Sequence, residues 1–350
     1  MTTNNMNPTS NKSIFIVGAS RSGTTLMQQI LNKHSDVHIT PRETHYFDDL
    51  RVKMAGCEQQ PLSPEEIKLT EDYFLALTHK RYGEGIPEQG WMDRIKLRTL
   101  AQKLGCGTDS YFEAFCQLSA QRDNKNIWGE KTPRHIFKLS EILTRYPKAK
   151  VICMVRHPGG VIASYRDWRN VAASSQKNRI TNSYNPTIIS LMWKAAFNAA
   201  LQARDQFGTN RVYIQRFEDL ITAPESTLNA LTSWLTLDYE PSMLEINLVN
   251  SSYSDKPRPK SSRVGFSQEP AYRWREKLKP TEVATCQHIC GSLLDKAGYE
   301  QEPISVSPIL IIGSWITLPF AGLRSLIANK SRISNTFNYV WHRFRLAFGQ

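Results

Sequence analysis

The stretch Gly18-Ala19-Ser20-Arg21-Ser22-Gly23-Thr24-Thr25-Leu26 follows directly on the apolar run Ile14-Phe15-Ile16-Val17. It keeps both glycines of the phosphate-loop pattern G-x-x-x-x-G-K-[ST], and its closing hydroxyl in Thr25. The lysine place, however, holds Thr24, and the cation is Arg21, three residues earlier. Short, apolar and β-branched, Ser13 to Val17 reads as a buried strand ended by Gly18. Thr24 to His34 reads as a helix, with Leu26, Met27, Ile30, Leu31 and His34 on one face. A loop between two such elements curls successive backbone N–H groups around an anion at the positive end of the helix. Gly18 and Gly23 permit the turn, and Ser22, Thr24 and Thr25 add hydroxyl donors. With no lysine to reach β and γ phosphates, the loop fits a donor with one phosphate at this position, and Arg21 as its cation.

The alternation of strand and helix continues outward. Lys150 to Val155 is a second apolar strand, and Pro158 opens a helix carrying Val161, Ile162, Tyr165 and Trp168 inward. Arg211 to Gln215 is a third strand, followed from Pro224 by a helix through Leu228, Leu231 and Leu235. The fold class this implies is α/β, a central parallel sheet with helices on both faces. Residues 1–12 read as a disordered leader and 13–302 as the main domain. Within it, 60–125 reads as a helical insertion in the place of an acceptor-binding lid, and 251–270 as a long loop rich in Ser, Pro, Lys and Arg. Residues 303–350 form an apolar, then basic tail.

The chain has 350 residues and a formal net charge of +12, which fits an anionic ligand or partner. No basic-aromatic module for nucleic acid is present, so none is expected as partner. The six cysteines show no C-x-x-C and no metal-ligand spacing. With a polar N-terminus lacking an apolar signal core, they point to a reducing cytoplasm and to no metal. The tail leaves one alternative open. Ile304 to Leu323 contains no charge, and Arg324, Lys330, Arg332, Arg343 and Arg345 follow with no acid. Pro308, Gly313, Pro319 and Gly322 interrupt the apolar stretch, while Trp341, Phe344 and Phe348 alternate with basic residues as in an interfacial helix. Packing on the body or on a second subunit, peripheral membrane contact and a true span are its three readings. The oligomeric state is open.

Three further constellations carry chemistry. In Arg42-Glu43-Thr44-His45-Tyr46-Phe47-Asp48, Glu43 is a general-base candidate, and His45 and Asp48 are close enough to tune it or to hold an acceptor. The plainer reading makes this an amphipathic loop with Tyr46 and Phe47 as core. In Trp128-Gly129-Glu130-Lys131-Thr132-Pro133, Lys131 lies near a strand end as a point charge, and Pro133 starts a helix over Arg134 to Arg145. In Val155-Arg156-His157-Pro158, Arg156 ends a strand at its carboxyl edge, with Ser164 two turns into the next helix. A guanidinium and a hydroxyl so placed can grip one phosphate from two sides.

Taken together, from roughly residue 13 to 280, the four constellations resemble the sulfotransferases that use 3′-phosphoadenosine 5′-phosphosulfate (PAPS). Arg21-Ser22-Gly23-Thr24-Thr25 matches that family's [RK]-[ST]-G-T-[TS] loop for the 5′-phosphosulfate. Arg156-His157-Pro158 with Ser164 matches its R-[DNH]-P…S element for the 3′-phosphate. The heparan-sulfate and bacterial enzymes carry K-E-x-H-[FY]-F-D, whose Glu is the base, and E-K-[ST]-P. Glu43 to Asp48, with Arg42 at the Lys position, and Glu130 to Pro133 match these. Tyrosylprotein sulfotransferases share a similar layout. Arg216-Phe217-Glu218-Asp219-Leu220 resembles the family's R-Y-E-D-L, but Phe217 lacks the tyrosine hydroxyl and is placed outside the site. The late adenosine and 3′-phosphate loop is expected within 251–273, with Arg263 and Gly265 as binding candidates and Arg273-Trp274 behind them.

The resemblance implies in-line transfer of a sulfuryl group from PAPS to a hydroxyl, or in second place an amine, of a small-molecule or glycan acceptor, leaving 3′-phosphoadenosine 5′-phosphate (PAP). Glu43 is then the base, with Lys131, Arg21 and His45 beside it, and no metal is required. The rival classes are a small-molecule kinase and a catalytically inactive binding protein on the same fold.

Overall fold

The computed structural model describes residues 12–79, 90–171, 174–246, 265–330 and 336–349. Five strands, β1 (Ser13–Gly18), β2 (Val37–Ile39), β3 (Ile127–Lys131), β4 (Lys150–Val155) and β5 (Val212–Arg216), form one sheet in the order β2-β3-β1-β4-β5. Every pairing is parallel, with Ile16 opposite Lys131 and Gly18 opposite Met154. The carboxyl ends of all five strands therefore share one edge.

From β1 the chain enters α1 (Thr24–Leu31), returns as β2, and reaches β3 through α2 (Leu50–Lys53), α3 (Pro64–His79), α4 (Arg94–Leu104) and α5 (Gly107–Arg122). Next come α6 (Leu139–Arg145) before β4, and α7 (Pro158–Val171), α8 (Ser174–Ser183) and α9 (Pro186–Phe207) before β5. Beyond β5 lie α10 (Phe217–Thr222), α11 (Pro224–Leu235), α12 (Glu269–Tyr272), α13 (Trp274–Lys277), α14 (Pro280–Cys290) and α15 (Leu293–Lys296). The tail holds α16 (Pro308–Ile316), α17 (Leu318–Ala328) and α18 (Thr336–Phe348).

The central strands are apolar along their length because both their faces are covered. Ile14, Ile16, Ile152 and Met154 meet Met27, Ile30 and Leu31 of α1 and Leu228, Leu231 and Leu235 of α11. Phe15, Val17, Val151 and Cys153 face the other layer, built from α5, α6 and α9. There Phe15 is ringed by Phe112 at 6.2 Å, Trp128 at 5.8 Å and Tyr146 at 5.7 Å.

Several expectations shift in detail. The first helix stops at Leu31 rather than His34, because Asn32 folds its side chain back onto the Ile39 backbone. It accepts the Ile39 N–H at 2.7 Å and donates to its carbonyl at 3.0 Å. Strands β2 and β3 were not among those expected. The helix expected from Arg134 begins as a 3-10 segment, Pro133–Lys138, and becomes α-helical only at Leu139. Within the stretch 60–125, read as a helical insertion, α5 packs on the sheet. That helix is buried from Gly107 to Cys116 and brings Phe112 onto Phe15, so it is a core layer of the sheet. Among the described residues no single helix is long and apolar enough to cross a membrane. Only α16 and α17 taken together pass by length and composition, and they are bent by 43°.

Candidate active site

The glycine loop leaves β1 at the carboxyl edge. Arg21 adopts φ 74° and Gly23 φ 90°, so two of three consecutive residues sit in the left-handed region. For a non-glycine residue such a conformation is sparsely populated and is held by its surroundings. A Cβ on Gly23 would lie 2.5 Å from the Phe217 ring, so the position also needs glycine for space. Helix α1 starts without a side-chain cap and without an acid in its first turn. Its N–H groups are thus left for an anion. Ser22 is fully buried, and its Oγ has no hydrogen-bond partner among the described residues. A buried hydroxyl of this kind fits a loop shaped around a phosphate. Thr24 is buried beside it, and Thr25 is exposed.

On one side of the loop stands the end of β4. Arg21 Nε donates to Ser164 Oγ at 3.0 Å, and its guanidinium lies 5.2 Å from the Trp168 ring. Arg156 donates from Nη1 to the Arg21 carbonyl at 3.3 Å and from Nη2 to the Pro270 carbonyl at 2.7 Å. Its guanidinium also lies over the Phe217 ring at 4.4 Å. Arg156 and Ser164, read as a pair from spacing alone, thus meet on the same loop residue. His157 stacks on Trp274 at 4.1 Å, and its Nδ1 accepts the Gly159 N–H at 3.1 Å. Burial, reinforced by Arg275, Arg156 and Arg216, lowers its pKa to about 3, so it is a neutral packing group.

Phe217 is the residue that sequence reasoning set aside. Its ring packs against Gly23 and lies under the Arg156 guanidinium, contacts that need no hydroxyl. The signal was its place in a motif whose other positions matched.

On the other side of β1 stands the end of β3. Lys131 Nζ donates to Glu43 Oε1 at 2.8 Å. His45, held at φ 51°, places Nε2 3.4 Å from Glu43 Oε2 and Nδ1 3.3 Å from Asp48 Oδ1. Asp48 also meets Arg134 at 2.8 Å. Behind this row lies Glu130, fully buried. It accepts from the Thr44 N–H at 3.1 Å, from the Thr44 hydroxyl at 3.0 Å and from the Thr132 hydroxyl, and it pairs with His135 Nδ1 at 3.0 Å. The Thr44 backbone, one residue from Glu43, is therefore anchored to β3.

These contacts set the charges. Burial alone would raise the Glu43 carboxyl, but the His45 hydrogen bond and the Lys131 charge outweigh it and hold the pKa at about 2. Burial would lower His45, yet Asp48 and Glu43 raise it above its ordinary value. The His135 imidazole, opposed by burial but paired with Glu130 and Asp48, rises to about 9. Among the described residues no group of three or more His, Cys, Asp or Glu side chains is placed to hold a metal ion. Of the late-loop candidates, Arg263 lies outside the described residues. Gly265, at φ 118°, donates its N–H to the Ile246 carbonyl at 2.9 Å.

The chain belongs to the sulfotransferase family, whose model matches residues 13–241. It is 25% identical over 305 residues to the nodulation protein NoeE of Sinorhizobium fredii, a match that covers 82% of this chain and 66% of that protein. The chain thus spans just under two thirds of that relative's length. It is 21% identical to carbohydrate sulfotransferase 1 of Danio rerio, covering 85% of this chain and 80% of that one. Among solved structures, the sulfotransferase domain from the curacin biosynthetic pathway aligns with a TM-score of 0.48 and 20% identity, over 83% of this chain and 98% of that domain.

Proposed function

We propose that the protein transfers a sulfuryl group from PAPS to an acceptor hydroxyl, leaving PAP. The observation that carries this is the convergence at one sheet edge of a phosphate loop lacking its lysine with the Glu43–Lys131 pair. Since β3 and β4 flank β1, the strand ends that carry Lys131 and lead into Arg156 stand on opposite sides of β1, on the order of 10 Å apart. Family membership supports the reaction class, and the relative named a carbohydrate sulfotransferase supports a glycan hydroxyl as acceptor.

The donor supplies an activated sulfuryl group that passes in line to the acceptor oxygen. The residues then divide the work. Ser22 and the N–H groups at Thr24 and Thr25 hold the 5′ end, with Arg21 as cation. Arg156 and Ser164 hold the 3′-phosphate and fix register along the site. Glu43 takes the acceptor proton. It is ionised at every physiological pH, and it becomes a stronger base as Lys131 turns from it toward developing negative charge. His45, fixed by Asp48, keeps the second carboxylate oxygen oriented. Incubation with isotope-labelled PAPS and acceptor extracts, followed by mass spectrometry for an added sulfuryl group, tests the reading. ATP-dependent, magnesium-requiring phosphorylation in its place overturns it.

A further inference from the structure

The helices after Ser307 leave most of their apolar side chains in solvent. Helix α16 reads Pro308-Ile309-Leu310-Ile311-Ile312-Gly313-Ser314-Trp315-Ile316 and has no buried residue. Helix α17 buries Ala321 alone. Ile309 is 76% exposed and Phe320 78% exposed. Helix α18 is two-sided. Leu346 and Ala347 pack on α9, where Asn198 Nδ2 donates to the Leu346 carbonyl at 2.6 Å. Trp341, Phe344 and Phe348, at helical spacing on the other side, are exposed. Their rings continue into α16, with Phe344 4.8 Å from Phe348 and Phe348 6.4 Å from Trp315. A soluble monomer rarely presents a continuous apolar face built from three helices.

Charge indicates what covers it. From residue 303 to the end there is no Asp or Glu, and Arg324, Lys330 and Arg345 are exposed. An apolar face among cations complements acyl chains beneath anionic headgroups. It disfavours a second copy of the chain, whose matching face and net charge of +12 would repel it. The bend between α16 and α17 argues for lying on a bilayer rather than crossing it. At 1.5 Å per residue, α16 and α17 are roughly 14 and 17 Å long, each short of a core about 30 Å thick; end to end they would reach across it only if straight, and they are bent by 43°. The face is also tied to the body. Asn329 donates to Ser183 Oγ at 2.8 Å and accepts from Arg179 at 3.4 Å, both on α8.

We propose that α16, α17 and the outer side of α18 dock the protein on an anionic phospholipid surface. The full chain is floated with vesicles of equal parts phosphatidylglycerol and phosphatidylcholine, and separately with phosphatidylcholine alone. The wild type floats with the anionic vesicles and binds the neutral ones at least about tenfold more weakly. The double substitution Ile309→Glu with Phe320→Glu removes flotation while circular dichroism and Tm stay at wild-type values, since both side chains are exposed. Arg324→Glu with Lys330→Glu, which leaves the apolar positions intact, lowers binding to the anionic vesicles alone. A wild type that stays unbound, or substituted chains that float as it does, overturns the proposal. So does a dimer in light scattering that Ile309→Glu with Phe320→Glu dissolves in the absence of any vesicle binding, which assigns the face to a second copy.

Discussion

Lys131 Nζ stands 2.8 Å from Glu43 Oε1, a contact between residues 88 positions apart in the chain. The pairing keeps the carboxylate ionised and, by the same force, makes it a weak base. A cation that can leave for a more strongly charged anion converts that weakness into a switch. In the proposed reaction, the Glu43–Lys131 pair links proton removal to the presence of donor.

Glu43→Gln keeps size and removes the proton acceptor. Turnover falls about 10²–10⁴-fold, the range of a positioned general base, while PAP affinity by isothermal titration stays near wild type. Normal turnover removes Glu43 as the base.

Lys131→Ala leaves the His45 hydrogen bond but takes away the second of the two groups that hold Glu43 at about 2. The carboxyl then titrates closer to its ordinary value, so the acid limb of the kcat/KM profile moves to higher pH as well as dropping in height. A limb that stays in place shows that Lys131 does not set the base strength.

Arg156→Ala deletes a charged donor from between the loop and α12. Charge-assisted hydrogen bonds contribute about 1.5–3 kcal/mol each, so PAP binding weakens by roughly tenfold or more. Unchanged affinity sinks the 3′-phosphate assignment.

Gly23→Ala strains a φ of 90° and drives a methyl into the Phe217 ring. The expected loss is about 1 kcal/mol or more of stability, together with weaker PAP binding, read by thermal unfolding and titration. Phe217→Leu as a partner change relieves the clash but not the backbone strain, so it restores only part of each.

His135 is fully buried, with a pKa near 9 against an ordinary 6.5. Because the folded value is the higher one, its stabilisation is complete below pH 6.5 and is lost as pH rises through 9. The gap is worth roughly 3 kcal/mol. The Glu130 and Asp48 carboxyls are shifted the other way, downward, so they lose their contribution only in acid. Tm therefore declines between pH 6.5 and 9, and His135→Gln flattens that decline. Parallel profiles for the two proteins contradict the buried imidazolium.

The sequence by itself determined the glycine loop, the parallel α/β class, the strands β1 and β4 and, within one residue at each end, β5. Each of these is local: an unbroken apolar run is what a strand covered on both faces requires, and the glycines sit where the turn needs them. Strand β2 escaped because three residues carry too little periodicity. Strand β3 escaped because Gly129, Glu130 and Lys131 look like a loop. Gly129 is glycine because Ile39 Cδ1 and the Ile14 carbonyl stand 2.3 and 2.6 Å from where a Cβ would be. Lys131 reads as an ordinary surface lysine until β3 is seen to bury it beside Glu43. Only the tertiary structure decided the place of Phe217, whose ring meets Gly23 and Arg156, residues that lie far from it in the chain. It also decided the charge state of His135, set by carboxylates that the sheet brings behind it. Local pattern records what a residue needs from its own backbone, whereas pKa, burial and cross-chain support depend on neighbours that only folding supplies.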